Sequence, residues 1–171
     1  MIRHLTPADY KTMPWANGKG VTVEMLRVEG DGALKWRLSR ASVREDGDFS
    51  IFPGIERNLT VISGPGFDLV GAGIRLVARL LQPVAFAGDV AIAAVGVSAP
   101  SDDFNVMTAR GMARPEVRVL DGGDLAAGGT LAVFALAAAQ VAGVSMARYD
   151  LVVTDQAARV VGRVIAVRMF G

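Results

Sequence analysis

Few side chains in this chain can do chemistry, and their scarcity narrows what they can do. The 171 residues hold one histidine, His4, and no cysteine. Thiolate nucleophiles, thiolate metal sites and disulfides are therefore excluded. A site of two or three histidines cannot form within one subunit, so no metal and no cofactor is expected. A Ser-His-Asp set would have to use His4, and a lone histidine near the terminus is expected in solvent. Guanidinium, amide and carboxylate chemistry remains. It is concentrated in two polar, aromatic clusters, MPWANGKGVTVE (Met13 to Glu24) and SDDFNVMTARG (Ser101 to Gly111), within a chain otherwise rich in Ala, Val, Leu and Gly. Such mixtures suit a pocket that holds a small ligand with an apolar wall and a few placed donors and acceptors.

In the first cluster Asn17-Gly18 signals a tight turn, and Gly20 opens a strand that carries Thr22 and Glu24 on one face. Glycines beside a strand let a ligand approach the backbone, so Asn17, Gly18, Gly20, Thr22 and Glu24 form a candidate pocket rim. The plainer alternative is a hairpin entry with Trp15 packed as a lid. GKGVT lacks the spacing of a phosphate loop. In WRLSRASV (Trp36 to Val43), Arg37 and Ser39 share a face with Lys35. If that face looks into a barrel, a buried Arg37 needs a carboxylate or an anionic ligand, and Glu24 is the obvious partner; otherwise it is a solvated strand face. Between Glu45 and Gly64, Phe49 and Phe52 are apolar anchors and Arg57 starts a strand. That segment either closes over a small ligand or packs as a surface loop. In the second cluster Phe104 and Val106 alternate with Asn105 and Met107. Asn105 both donates and accepts, and Arg110 is either a carboxylate clamp or a salt-bridge partner of Asp102 or Asp103.

Arginine suits planar carboxylates. Arg37, Arg57 and Arg110, grouped with Asn17, Asn105 and aromatic anchors, therefore point to a small carboxylate metabolite, bound rather than turned over. Two other classes stay open: an isomerase or hydrolase with Glu24 as general base, and a protein–protein module with Phe52 and Trp15 as anchors.

The elements that must position these residues read as strands. Period-two alternation recurs in VTVEMLRV, LKWRLSR and IRLVARL. LTVISGPGFDLVG reads as a hairpin around Gly64-Pro65-Gly66. Leu131 to Ala137 reads as a buried strand despite helix-compatible composition, and Asp121-Gly122-Gly123-Asp124 reads as a loop. Thr6 to Tyr10 reads as one helical turn, with Thr6 as cap and Pro7 first. Gly numbers 20, so short strands with frequent turns favour an antiparallel sandwich or barrel. With 51% hydrophobic and 20% charged residues the chain is not disordered. A net charge of +1 leaves no footprint for nucleic acid. The most apolar run is shorter than the roughly 20 residues of a membrane helix, and the N-terminus lacks a leader's apolar core. A cytoplasmic protein is expected.

Together the motifs identify a family. MPW-x-NG-x-G-x-T-x-E (Met13 to Glu24), WRLS-x-A-x-V (Trp36 to Val43), G-x-FS-x-FPG-x-x-R (Gly47 to Arg57), F-x-GD (Phe86 to Asp89) and DFN-x-M-x-x-R (Asp103 to Arg110) resemble the HutD/Ves family in order and spacing. The resemblance implies an all-β, cupin-type (RmlC-like jelly roll) fold with two fused β-barrel modules, in one bicupin domain of approximate halves 1–115 and 116–171. It implies a metal-free binder of a small anionic metabolite, of the urocanate or formylglutamate class, that governs histidine utilisation, and by analogy a homodimer. The implied pocket residues are Asn17, Gly18, Gly20, Thr22, Glu24, Arg37, Ser39, Phe52, Arg57, Phe104, Asn105 and Arg110. The chain departs from the family pattern at Ala16 and Lys19, where lysine and glycine are usual. The positive charge is either moved three residues along or lost.

Overall fold

The computed structural model describes residues 1–171. The chain contains β1 (Ile2–Leu5), a 3-10 turn (Pro7–Asp9), β2 (Lys11–Pro14), β3 (Gly20–Gly30), β4 (Ala33–Val43), β5 (Gly47–Asp48), β6 (Ile55–Ser63), β7 (Phe67–Gly71), β8 (Ile74–Ala78), β9 (Val84–Ala87), β10 (Ile92–Val95) and β11 (Ser101–Ala109). It continues with β12 (Glu116–Leu125), β13 (Thr130–Ala135), β14 (Ala139–Val141), β15 (Val144–Met146), β16 (Leu151–Thr154) and β17 (Ala158–Met169). No helix is long and apolar enough to cross a membrane. The architecture is the all-β, cupin-type one that the motifs imply.

The chain divides into two compact units. One is Lys11–Gly111, and the other joins Met1–Tyr10 to Met112–Gly171. A cut into 1–115 and 116–171 thus leaves out one exchange: the first ten residues belong with the C-terminal unit. The reason is strand pairing, since β1 runs antiparallel to β16 with Ile2 opposite Thr154 and Leu5 opposite Leu151.

In the Lys11–Gly111 unit a six-stranded sheet, ordered β2-β3-β4-β11-β6-β9, is joined by a four-stranded sheet, β5-β10-β7-β8. One apolar cluster draws Val43, Leu59, Val61 and Phe86 from the first and Phe67, Leu69, Ala78, Ile92 and Ala94 from the second. The two sheets therefore bury one face each against the other, the arrangement that alternating sequences favour.

The Gly64-Pro65-Gly66 segment corrects an expectation. It does not close a hairpin, because β6 pairs with β11 and β9 while β7 pairs with β8 and β10. It is a corner where the chain passes from one sheet to the other. Gly66 has φ of 81°, its N–H donates to Ser101 Oγ at 2.9 Å, and a Cβ there would lie 2.2 Å from the Ala78 carbonyl oxygen. Gly-Pro-Gly reports the turn and says nothing about which strands pair.

In the other unit one seven-stranded sheet surrounds its own apolar cluster, which includes Leu131, Val133, Val152, Val160 and Val164. The run from Leu131 is strand, as its burial requires. Asp121–Asp124, expected as a loop, lies within β12. Its register against β17 shifts between Leu120 and Gly122, and Gly122 has φ of 129°. A bulge absorbs the glycines without ending the strand. The 3-10 turn has Pro7 at its start, and the backbone N–H of Thr6 donates to the Asp9 carboxylate. His4 is not simply solvated: its Nε2 lies 2.8 Å from Oδ2 of the buried Asp150.

Gly66→Ala is expected to destabilise the protein by about 1–3 kcal/mol from backbone strain, plus the clash. Gly73→Ala, at φ of 70° but with open space around the new Cβ, should show the smaller loss. Urea midpoints of the two variants check this; equal losses would show that the close approach to Ala78 is unimportant.

Candidate functional site

A cavity of about 510 Å³ opens in the Lys11–Gly111 unit. Its floor is the inner face of the three central strands of the six-stranded sheet. Strand alternation puts every second residue there, and the register sets the rows. Met107 lies between Arg37 and Arg57, Asn105 between Ser39 and Leu59, and Asp103 between Ala41 and Val61. The next strand out extends two rows, placing Glu24 beside Ser39 and Thr22 beside Ala41.

Arg57 is the dominant charge. It is 7% exposed, and its NH2 donates to Asn105 Oδ1 at 3.0 Å. Its guanidinium carbon lies 5.5, 5.3 and 5.0 Å from the ring centres of Phe49, Phe52 and Phe86. Rings at that range attract a cation. Burial nevertheless pulls its pKa down to about 10, against the attraction of Asp103 and with a further push from Arg37. Asn105 in turn donates from Nδ2 to Asp103 Oδ1. Asp103 is fully buried, its Oδ2 has no partner, and burial pushes its pKa up from 3.8 to about 7. Arg37 donates from Nε to Glu24 Oε2 at 2.6 Å. The carboxylate partner that a buried Arg37 requires is thus Glu24, and the strand face is no solvated one.

The rim comes from the first cluster. Gly20 lets the Trp15 indole lie against the strand, since a Cβ there would meet the ring at 2.8 Å. The indole N–H then donates to Thr22 Oγ1 at 2.8 Å, and the ring meets Phe49 edge-on at 5.9 Å. Asn17 accepts the Lys19 backbone N–H at 2.9 Å, which fixes the turn. The segment that carries Phe49 and Phe52 is tied down by backbone bonds from Phe49 N to Ile92 O and from Phe52 N to Gly88 O. Asp46 adds bonds from the Gly96 and Val97 amides. These amides hold the Asp46 carboxyl below its ordinary value.

Of the residues singled out in the sequence, Asn17, Thr22, Arg37, Ser39, Phe52, Arg57 and Asn105 line this cavity. Gly18 and Gly20 shape the turn and seat Trp15 rather than lining the wall. Glu24 stands behind Arg37. Phe104 lies on the opposite face of β11 from Asn105 and is fully buried. Arg110 is not brought to the cavity: it is half-exposed and donates to Glu56 Oε1 at 2.8 Å and to Asp89 Oδ1. Asp89 also accepts the Gly54 amide at 3.1 Å, so Arg110 rivets the turn before β6. Arg110 holds the Asp89 carboxyl down at about 2. Neither expected salt-bridge partner reaches Arg110: Asp102 lies 3.7 Å from Arg40 and accepts from Ser42, and Asp103 is buried.

Asp103, Trp15, Phe49 and Met107 line the cavity without having been assigned to it. For Asp103 the signal was present, because it sits two residues before Asn105 and alternation puts both on one face. No three His, Cys, Asp or Glu side chains cluster so as to hold a metal ion.

Sheet order and cavity define a cupin-type protein with an arginine-centred pocket. The HutD family model matches residues 7–166, and the chain belongs to that family. An uncharacterised 21.2 kDa protein in the hutC 3' region of Pseudomonas putida is 35% identical over 151 residues, covering 85% of this chain and 78% of that one. Protein Ves of Cronobacter sakazakii is 36% identical over 118 residues, covering 66% of this chain and 65% of its own length. Among solved structures, HutD from Pseudomonas fluorescens SBW25 superposes with a TM-score of 0.92 at 31% identity, covering 99% of this chain and 98% of that one. A conserved protein of unknown function from Pseudomonas aeruginosa PAO1 gives 0.89 at 31% identity over the full length of both.

The buried carboxyl has a measurable signature. The folded state keeps the Asp103 proton up to about pH 7, whereas the unfolded chain releases it near 3.8. The folded state therefore binds more protons in that window, and stability falls as pH rises through it, by on the order of 4 kcal/mol. Asp103→Asn should remove this loss, matching the wild type near pH 4 and exceeding it at pH 8 in urea denaturation. A parallel fall in both proteins would assign the pH dependence elsewhere.

Proposed function

We propose that the chain is a binding protein for a small carboxylate metabolite of the urocanate or formylglutamate class, and that occupancy of the cavity, not turnover, regulates histidine utilisation. One observation carries the binding claim: a buried guanidinium on the cavity wall, Arg57, is hydrogen-bonded to an amide instead of a carboxylate and is backed by three aromatic rings. Burying a cation without an ion pair is unfavourable. A planar anion that docks on Arg57 supplies the missing charge in bidentate geometry. A cavity of about 510 Å³ suits a metabolite of that size. The pathway assignment draws on relatives: one is described by its place in the hutC 3' region, and the P. fluorescens HutD structure is described by a formate condition.

The alternative with Glu24 as general base gains no support from the geometry. Glu24 is engaged by Arg37, and Lys19 Nζ donates to the Asp46 carbonyl at 3.1 Å.

Calorimetry with urocanate, formylglutamate, formate and histidine tests the reading. At least one carboxylate should bind saturably to wild type. Arg57→Gln should weaken that binding at least tenfold, a loss of about 1.4 kcal/mol or more. Arg57→Lys should not restore it, because a point charge cannot replace the planar fork. Silence from all four compounds with folded wild-type protein would end the proposal.

A further inference from the structure

The cavity holds a second polar group that anion binding alone does not use. Asp103 shares the floor with Asn105 and Arg57 and is fully buried. Its Oδ1 is taken by the Asn105 amide, and its Oδ2 has no partner. The register shows why nothing in the fold supplies one. The residues directly across from Asp103 are Val61 on β6 and Ala41 on β4, neither with a polar side chain. One strand further out, Thr22 Oγ1 accepts from the Trp15 indole, and its own O–H makes no hydrogen bond to Asp103 Oδ2. Asp102, next along the chain, points away and meets Ser42 and Arg40. Arg37 is held by Glu24, and Arg57 reaches only as far as Asn105.

Native structures pair their buried polar atoms, and an exception calls for an explanation. Here the amide of Asn105 also fixes direction: its carbonyl faces the guanidinium and its NH2 faces the carboxyl. A positive pole and an acceptor pole are thereby held on either side of one amide. Resting on the carboxylate-binding reading above, we propose that Asp103 is the specificity-determining residue of this cavity: its free Oδ2 accepts a hydrogen bond from an N–H of the bound carboxylate, so the site selects carboxylates that carry such a donor over those that lack it. A site built to pair a donor discriminates strongly against the analogue without it, because the acceptor is then left buried and unpaired.

The test is a pair of ligands matched in carboxylate, double bond and size: urocanate, whose ring carries an N–H, and furylacrylate, whose ring carries none. Calorimetry on the wild type at about pH 8, where the Asp103 carboxyl is ionised and Oδ2 is an acceptor, should show urocanate bound at least about tenfold more tightly. Asp103→Asn, with folding checked by thermal melting, should reduce that ratio to within about threefold, chiefly by weakening urocanate. Equal affinity of the two ligands for wild type overturns the proposal without needing any variant. So does a variant that weakens both ligands by the same factor, which would make Asp103 a support for Asn105 and Arg57 only. If furylacrylate and urocanate both fail to bind wild type while formate, which carries no N–H, binds, the donor specificity is refuted and carboxylate binding stands. If no carboxylate binds, the parent reading falls and this one with it.

Discussion

The site depends on how one buried guanidinium is neutralised. An arginine taken out of water needs compensation of the order of its lost hydration, and a direct carboxylate is the usual solution. Arg57 has an indirect one. Its hydrogen bond ends on Asn105, the amide passes the interaction on to Asp103, and three phenylalanine rings surround the cation. The charge is therefore tolerated without being quenched. The neighbouring Arg37 shows the contrast within the same wall: with Glu24 at 2.6 Å its charge is spent inside the protein. Two arginines one register position either side of Met107 thus have different chemistry, and only Arg37 is paired with a carboxylate.

The scaffold makes this possible because the polar residues come from adjacent central strands. In a sheet the lateral order fixes which side chains touch, and alternation keeps them on one face. Arg57, Met107 and Arg37 occupy one row; Leu59, Asn105 and Ser39 the next; Val61, Asp103 and Ala41 the third. Along β6 the inward side chains turn from Arg57 to Leu59 to Val61, toward the apolar cluster that includes Val43, Val61 and Phe67, so the cavity is a polar end of the same interior that holds the two sheets together. The aromatic cover is anchored through backbone amides and Asp46, leaving the Phe49 and Phe52 rings to the cavity.

Alternation made the sheet faces legible from sequence, and with them Arg37, Ser39, Arg57 and Asn105. What it could not supply is lateral order. The Gly64-Pro65-Gly66 corner looks like a hairpin because a turn signal is local, whereas the choice of partner strand depends on residues such as Ser101 that lie far along the chain. The pairing of β1 with β16 spans nearly the whole sequence and leaves no local trace. Arg110 and Asp103 depart from the sequence expectation in opposite directions for one reason. Charged residues near one another in sequence invite a salt-bridge reading, but the side of the strand decides. Arg110 ends outside with Glu56 and Asp89, and Asp103 ends inside with no cation in contact.

The departure at Ala16 and Lys19 can be placed by the same reasoning. Ala16 lines the cavity with a methyl group. Lys19 does not line it. Its stem lies against Gly47, where a Cβ would come within 2.6 Å of Lys19 Cδ, and its ammonium donates to the Asp46 carbonyl. The cation three residues on therefore braces the start of the aromatic cover instead of facing a ligand. This leaves Arg37 and Arg57 as the cations of the cavity wall, and Arg37 is already paired. The cavity wall thus presents one unpaired guanidinium rather than a diffuse positive field. On the proposed carboxylate-binding reading, such a site selects through geometry more than through charge, and the placement of Asn105 and Asp103 beside that guanidinium sets what else the anion must carry.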